Sequence, residues 1–246
     1  MKVILLAAGV GRRFGEKTKT LPKCLIPLGS KEETLLSRYL DSFRELGIRD
    51  VVIVCGHQKE KIKKECRRKG VGLRIRFLFN KDYSKGSIVS LYTARDEFDK
   101  ASLIMDADVF FETRTLKRLV DSRLRSAFLI DPRVKSTGEE MMVMARHGVP
   151  CLISKKVDPR LQVLGEATGF FKISPEDGVL LRKTLQDFVL AGRTGGEYEE
   201  AYNWLMRKRK VGFEKVGPEF WTEMDFEEDL KKITARHLFL QEVPLP

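Results

Sequence analysis

Side-chain amides are nearly missing from this sequence. In 246 residues, asparagine occurs only as Asn80 and Asn203, and glutamine only as Gln58, Gln162, Gln186 and Gln241. Charged residues meanwhile reach 33%, above the roughly 25% usual in soluble domains. Few heat-labile amides among many ion-pair formers is a composition of proteins from hot environments. Cysteine is sparse too. Cys24, Cys55, Cys66 and Cys151 stand apart, with no CxxC pair and no histidine at ligand spacing. That pattern argues against structural zinc and a disulfide framework, leaving four small hydrophobes in a reducing compartment. No apolar run reaches the roughly 18 residues that span a bilayer. The apolar start, Met1 to Gly9, is too short for a leader and reads as a strand. These absences predict a cytoplasmic protein that is not membrane-embedded. There is no repeat, no low-complexity tract and no Pro/Ser-rich linker, so a single domain over 1–246 is expected. Hydrophobic residues make up 42% of the chain, too many for a disordered one.

The charge is one-sided, with 46 basic residues against 35 acidic and a net +11. Such an excess suits a polyanionic partner, or simply a solvated surface rich in ion pairs. The very basic stretch Lys59 to Arg68 raises nucleic acid as a partner. No single- or double-strand RNA-binding motif accompanies it, so no nucleic-acid partner is expected.

Strand-like and helix-like segments alternate. Lys2–Leu6, Val51–Val54, Leu73–Phe79, Ser102–Met105 and Ala127–Ile130 read as strands. Leu35–Leu46, Gln58–Arg68, Ser87–Phe98 and Thr113–Asp121 read as helices between them. This βα alternation predicts an α/β fold with a doubly wound, mostly parallel sheet. The second half is less regular. Glu140–Arg146 and Cys151–Lys155 are expected to pair across His147-Gly148-Val149-Pro150, and Gly169–Ile173 to form a strand. Pro175 opens a helix. Tyr198–Met206 and Phe226–Arg236 are expected as helices and Val211–Val216 as a strand. The whole thus reads as a βα half, 1–130, followed by a half with a small β-rich insertion, 131–246.

The first βα turn, Leu6-Ala7-Ala8-Gly9-Val10-Gly11-Arg12-Arg13-Phe14, is built of small residues and glycines after a buried strand. Such a backbone can approach a phosphate closely. It is not a dinucleotide fingerprint, since position 14 is Phe, and no Gly-Lys-Ser/Thr of a P-loop exists anywhere. Asp106-Ala107-Asp108 ends an apolar strand, where ligands of open α/β sheets bind. A carboxylate there can hold Mg²⁺ against a phosphate oxygen.

LAAGxGxR followed about ten residues later by Pro22-Lys23 resembles the nucleotidyltransferases that activate sugar and alcohol phosphates with an NTP. The resemblance runs from Met1 to about Arg236 and implies a Rossmann-like fold. It gives the backbone of Leu6, Ala7, Ala8, Gly9 and Gly11 to the triphosphate, with Arg13 and Lys23 as neutralising, catalytic cations. Arg12 stands where many members have Thr. Asp108 corresponds to the family's metal ligand, with Asp106 either a further ligand or a supporting group. Phe220 to Asp229 resembles the closing motif, which makes Asp225 the second Mg²⁺ ligand. If Glu223 to Asp225 is extended, Glu223 lies on the same face, where it is expected to assist on the acceptor side. Glu227, Glu228 and Asp229 read as first-turn acids of a helix.

Lys85-Gly86 and Ser90-Leu91 fall at the spacing of the cytidylyltransferases, which implies that Gly86, Ser87 and Ser90 contact the base of CTP. Ser87 also suits a helix cap. Ile153-Ser154-Lys155 resembles a segment whose lysine, here Lys155, meets the acceptor phosphate. Thr168-Gly169-Phe170-Phe171 resembles the inositol-phosphate enzymes. Gly165-Glu166 departs from them towards amino- or choline-bearing acceptors, with Glu166 as the acceptor-binding group. The first half is then the nucleotide-binding half, and the second binds the acceptor and completes the metal site.

The resemblance therefore implies an enzyme joining CTP to a phosphorylated alcohol. Heat-adapted composition favours myo-inositol 1-phosphate, because heat-adapted organisms make inositol phosphodiesters as solutes. Phosphocholine and 2-aminoethylphosphonate are the alternatives, followed by a sugar 1-phosphate. A non-catalytic nucleotide sensor is the alternative of another class. A homodimer is compatible with the sequence.

Overall fold

A computed structural model describes residues 1–29 and 32–242. The strands are β1 (Lys2–Ala7), β2 (Asp50–Cys55), β3 (Arg74–Phe79), β4 (Ser102–Asp106), β5 (Val109–Phe111), β6 (Ala127–Asp131), β7 (Met142–Arg146), β8 (Val149–Ser154), β9 (Gln162–Ile173), β10 (Gly212–Lys215) and β11 (Trp221–Glu223). The helices are α1 (Glu16–Thr20), α2 (Leu35–Glu45), α3 (Lys59–Lys69), α4 (Ser87–Thr93), α5 (Thr113–Asp121), α6 (Pro175–Leu190), α7 (Glu199–Lys208) and α8 (Glu227–Glu242).

One nine-stranded sheet carries the fold, its main path running β10-β6-β9-β4-β1-β2-β3. The β1, β2, β3 and β4 strands are parallel neighbours, as continuous apolar runs joined by helices require. β9 is the exception, lying antiparallel between β4 and β6. Its outer part also pairs with β7, which in turn pairs with β8. The expected β-rich insertion is therefore woven into the sheet itself.

Alternation along β1 divides the core. Val3 and Leu5 face a layer holding Tyr39, Leu40 and Phe43 of α2 and Ile62 of α3. Ile4 and Leu6 face the layer of α4, α6 and α7, with Leu181, Leu185, Tyr202 and Leu205. Each such buried side chain contributes about 1.5–3 kcal/mol. Thr34 and Ser37 close a reciprocal capping box at the start of α2. Ser174 caps α6 ahead of Pro175.

Four expectations are corrected. Ser87–Phe98 is not one helix: α4 stops at Thr93, and a 3-10 turn carries Glu97 inward to bind Lys2 and Arg76. The strand expected over Gly169–Ile173 begins seven residues earlier, at Gln162, because β6 and β7 supply partners that local pattern cannot reveal. The turn before β8 is only His147-Gly148, both with positive φ, which matches strand twist in a two-residue hairpin. The last helix continues beyond Arg236 to Glu242. The basic α3 is partly self-neutralised, with Lys63 on Glu60 and Arg68 on Glu65.

Candidate active site

The glycine turn after β1 is locked from beneath. Gly11 has φ 67°, and a Cβ there would lie 2.9 Å from Lys23 Cγ. Left-handed backbone and lack of room both demand glycine. The Thr18 hydroxyl lies 2.8 Å from the Gly11 carbonyl and 2.9 Å from that of Gly15. Gly9, by contrast, has nothing within 4 Å of where a Cβ would stand. The backbone there is open to a ligand.

Asp108 follows β4 and is fixed by its neighbours. The Tyr39 hydroxyl lies 2.7 Å from the Asp106 carbonyl and 2.8 Å from that of Val109. β5 then pairs antiparallel with β11, Val109 opposite Glu223, and Met224 N–H donates to the Asp108 carbonyl at 2.8 Å. This two-stranded sheet brings the distant carboxylates together. Met224 is fully buried, so Glu223 and Asp225 on either side of it turn to the same cleft. One carboxylate oxygen each from Asp108, Glu223 and Asp225 lies within 4.8 Å of the others.

Two cations face this cluster. Lys23 Nζ stands 2.8 Å from Asp108 and 2.7 Å from Asp225. An Arg13 guanidinium nitrogen lies 2.7 Å from the other Asp225 oxygen. Burial alone would discharge Lys23, but Asp108 and Asp225 outweigh it and hold the ammonium well above the usual lysine range. Glu223 is pushed up to about 8 by burial and by the charges of Asp108 and Asp225. The carboxyl of Asp106, buried beside Asp108, is raised well above the carboxylate range and receives a hydrogen bond from Tyr198.

These groups open onto a cavity of about 450 Å³. The glycine turn, Gly86, Ser87, Ser90, Lys155 and Glu166 all line it. The residues assigned to the site from the sequence therefore line this cavity except Ala7 and Lys23, which line an adjoining cavity of about 270 Å³ together with Gly9, Gly11, Arg13 and Asp108. Some hydroxyls are already engaged. Ser87 donates to Glu197 and accepts from Tyr198 N–H, and Ser90 accepts from Asn80. Gly86 packs so closely that a Cβ would lie 2.1 Å from the Gly196 carbonyl. Glu166 is pushed up to about 7 by burial, Glu140 and Asp131.

Sequence reasoning missed Tyr198, Glu199 and Trp221, which also line the cavity. Their signal is faint: Gly195-Gly196 before Glu197 is the only local hint of a backbone passing close to something. Asp229 is the first-turn acid expected of α8, and its carboxylate accepts from the N–H groups of Asp225 and Phe226 at 3.2 and 3.0 Å, so it also braces Asp225.

The MobA-like NTP transferase domain model matches residues 3–176. The chain belongs to this family. Among curated relatives, it is 34% identical to the choline-phosphate cytidylyltransferase of Streptococcus pneumoniae over 109 residues, 44% of each chain. It is 30% identical to the CMP-5'-(3-aminopropyl)phosphonate synthase of Streptomyces rubellomurinus over 128 residues, 52% of this chain and 20% of that one. It is 24% identical to the bifunctional IPC transferase and DIPP synthase of Thermococcus kodakarensis over 241 residues, 98% of this chain and 51% of that one. The chain thus spans about half or less of these relatives. The solved inositol-1-phosphate CTP transferase of T. maritima superposes with TM-score 0.80 at 17% identity, covering 100% of this chain and 98% of that one. That likeness establishes a Rossmann-like nucleotidyltransferase fold. No described helix of this family member is long and apolar enough to cross a membrane.

Proposed function

We propose that the chain is a Mg²⁺-dependent cytidylyltransferase that joins CTP to myo-inositol 1-phosphate, giving CDP-inositol and pyrophosphate, with both halves acting as one domain. The observation that carries this reading is the meeting of Asp108, Glu223 and Asp225 with Lys23 and Arg13 beside the open backbone of Gly9. Three carboxylates within 4.8 Å form the hard oxygen set that Mg²⁺ takes. A metal held by Asp108 and Asp225, with Glu223 beside them, would neutralise phosphate charge and align the α-phosphate.

The chain's own groups do the rest. The glycine turn cradles the triphosphate, while Lys23 and Arg13 offset its charge and that of the departing pyrophosphate. Gly86, Ser87 and Ser90 border the base, Ser87 largely by anchoring Glu197 and Tyr198. Lys155 positions the acceptor phosphate. One of its oxygens attacks the α-phosphorus in line. A P–O bond forms there, the bond to the bridging oxygen of the β-phosphate breaks, and that oxygen leaves with the electron pair. No proton has to move, so no general base is required.

Inositol 1-phosphate is supported by the relative named IPC transferase, whose match covers 98% of this chain. A second reading, an acceptor bearing a cation, is favoured by the carboxylates of Glu139, Glu140, Glu166 and Glu199 around that end of the cavity. Relatives named for choline phosphate and aminopropylphosphonate lend it support. Pyrophosphate release with Mg²⁺ decides, scanning four NTPs against inositol 1-phosphate, phosphocholine, 2-aminoethylphosphonate and glucose 1-phosphate. Release only with CTP and inositol 1-phosphate is expected. Release only with a cationic acceptor selects the second reading, and no release with any pair favours a nucleotide sensor.

A further inference from the structure

Trp221 opens β11, two residues before Glu223, and forms part of the cavity wall with Lys155 and Glu166. Its indole N–H donates to Asp131 at 2.7 Å. Asp131 ends β6, opposite Glu166 of β9, and is 3% exposed. Its two oxygens also receive the Arg133 side chain, at 2.9 Å from Nε and 2.7 Å from Nη2, and Arg133 N–H at 2.8 Å. Burial opposes ionisation of Asp131, but Arg133 and the indole outweigh it and hold the carboxyl below its usual range.

A buried carboxylate with so many donors is rigid, and by accepting from the indole's one polar atom it fixes the orientation of the ring. The strand that Trp221 opens pairs along its length with β5, Trp221 opposite Phe111 and Glu223 opposite Val109, the residue after Asp108. β11 therefore spans the distance between the acceptor wall and the carboxylate cluster. Among the described residues, the side-chain hydrogen bonds of Ser87 and Ser90, the residues proposed to border the base, go to Glu197, Tyr198 and Asn80 and not to Asp131 or Trp221.

We infer that Asp131 is a positioning residue which, through the Trp221 indole, sets the wall that the acceptor rests against and so governs acceptor binding rather than CTP binding. The inference rests on the transfer reading above. The sequence gives no hint of it, because Asp131 and Trp221 are 90 positions apart.

The test compares Asp131→Leu, Asp131→Asn and Trp221→Phe, with each substrate varied against a saturating amount of the other. Losing a buried hydrogen bond at the wall should raise the acceptor KM about tenfold or more in Asp131→Leu and Trp221→Phe. The KM for CTP should stay within about twofold. Asp131→Asn retains an oxygen that can accept from the indole and should recover most of the loss. Equal rises in both KM values, or an unchanged acceptor KM in Asp131→Leu, overturn the inference.

A readout independent of turnover uses Trp221 emission in a Trp204→Phe background, where Trp221 is the only tryptophan left. Asp131→Leu should shift that emission and Asp131→Asn should not; an unshifted Asp131→Leu with a normal melting temperature overturns the positioning role. If the wild type transfers nothing, the transfer reading falls by itself. The acceptor role falls with it, while the emission still decides whether Asp131 sets the indole.

Discussion

Lys23 and Asp225 are 202 positions apart in sequence and 2.7 Å apart in the fold. The contact joins the start of the first half to the end of the second. It places a buried ammonium where phosphate charge would have to be met.

Lys23→Ala should lower pyrophosphate release by about 10²–10³-fold, the scale of losing one preorganised charge-stabilising donor. Asp108→Ala should do the same. Both should keep a cooperative melt, since neither side chain belongs to the apolar core. Near-wild-type turnover in either variant removes the role assigned to that residue.

Stability should fall as pH rises through the range in which Glu166 ionises. Its carboxyl has an ordinary value of 4.5 and is pushed up to about 7 by burial, Glu140 and Asp131. Below about 4.5 both folded and unfolded chains hold the proton, so there is no penalty. Between 4.5 and 7 only the folded chain holds it, so each rise in pH costs stability, and the cost is complete above 7. Melting curves of Glu166→Gln against wild type should therefore diverge from pH 4.5 to 8, with the variant the more stable at the upper end. Parallel curves would remove the buried charge as the cause.

Gly86→Ala should weaken CTP binding and destabilise the fold by about 1–3 kcal/mol, the usual cost of forcing a methyl into filled space. The new Cβ would meet the Gly196 carbonyl at 2.1 Å and the Gly195 carbonyl carbon at 2.6 Å. It would also disturb the hydrogen bond from Gly86 N–H to the Thr194 carbonyl. Chemical denaturation and a CTP titration read the two effects separately.

Asp229→Ala should cost about 1 kcal/mol, as loss of a cap does. It should also weaken Mn²⁺ binding, because the Asp229 carboxylate holds the backbone N–H of Asp225 at 3.2 Å. A calorimetric Mn²⁺ titration indistinguishable from wild type would confine Asp229 to capping α8.

Much of this was legible in the sequence. Asp108 ends an apolar run, which is where a parallel sheet offers its carboxyl edge to ligands. Gly9 and Gly11 follow another. Asp225 was reachable only through its motif, because no local pattern says that β11 will pair with β5. Asp131 and Trp221 were out of reach, since a buried carboxylate reads like any surface acid until its strand has neighbours. The outer half of β9 was missed for a related reason. Val163-Leu164-Gly165-Glu166-Ala167-Thr168 does not alternate cleanly, and it is held by two neighbouring strands across register shifts.

The position of β9 also fixes an order of events during synthesis. β6 has β9 and β10 as its neighbours in the sheet, and both lie later in the chain. A growing chain that has emerged as far as Asp131 has made β6 without either partner. It has made Asp108 without Asp225. The apolar face of β6 must wait until β9 inserts antiparallel beside β4. Contacts this distant in sequence form slowly. The carboxylate cluster of Asp108, Glu223 and Asp225 can form only after β11 and Asp225 have emerged.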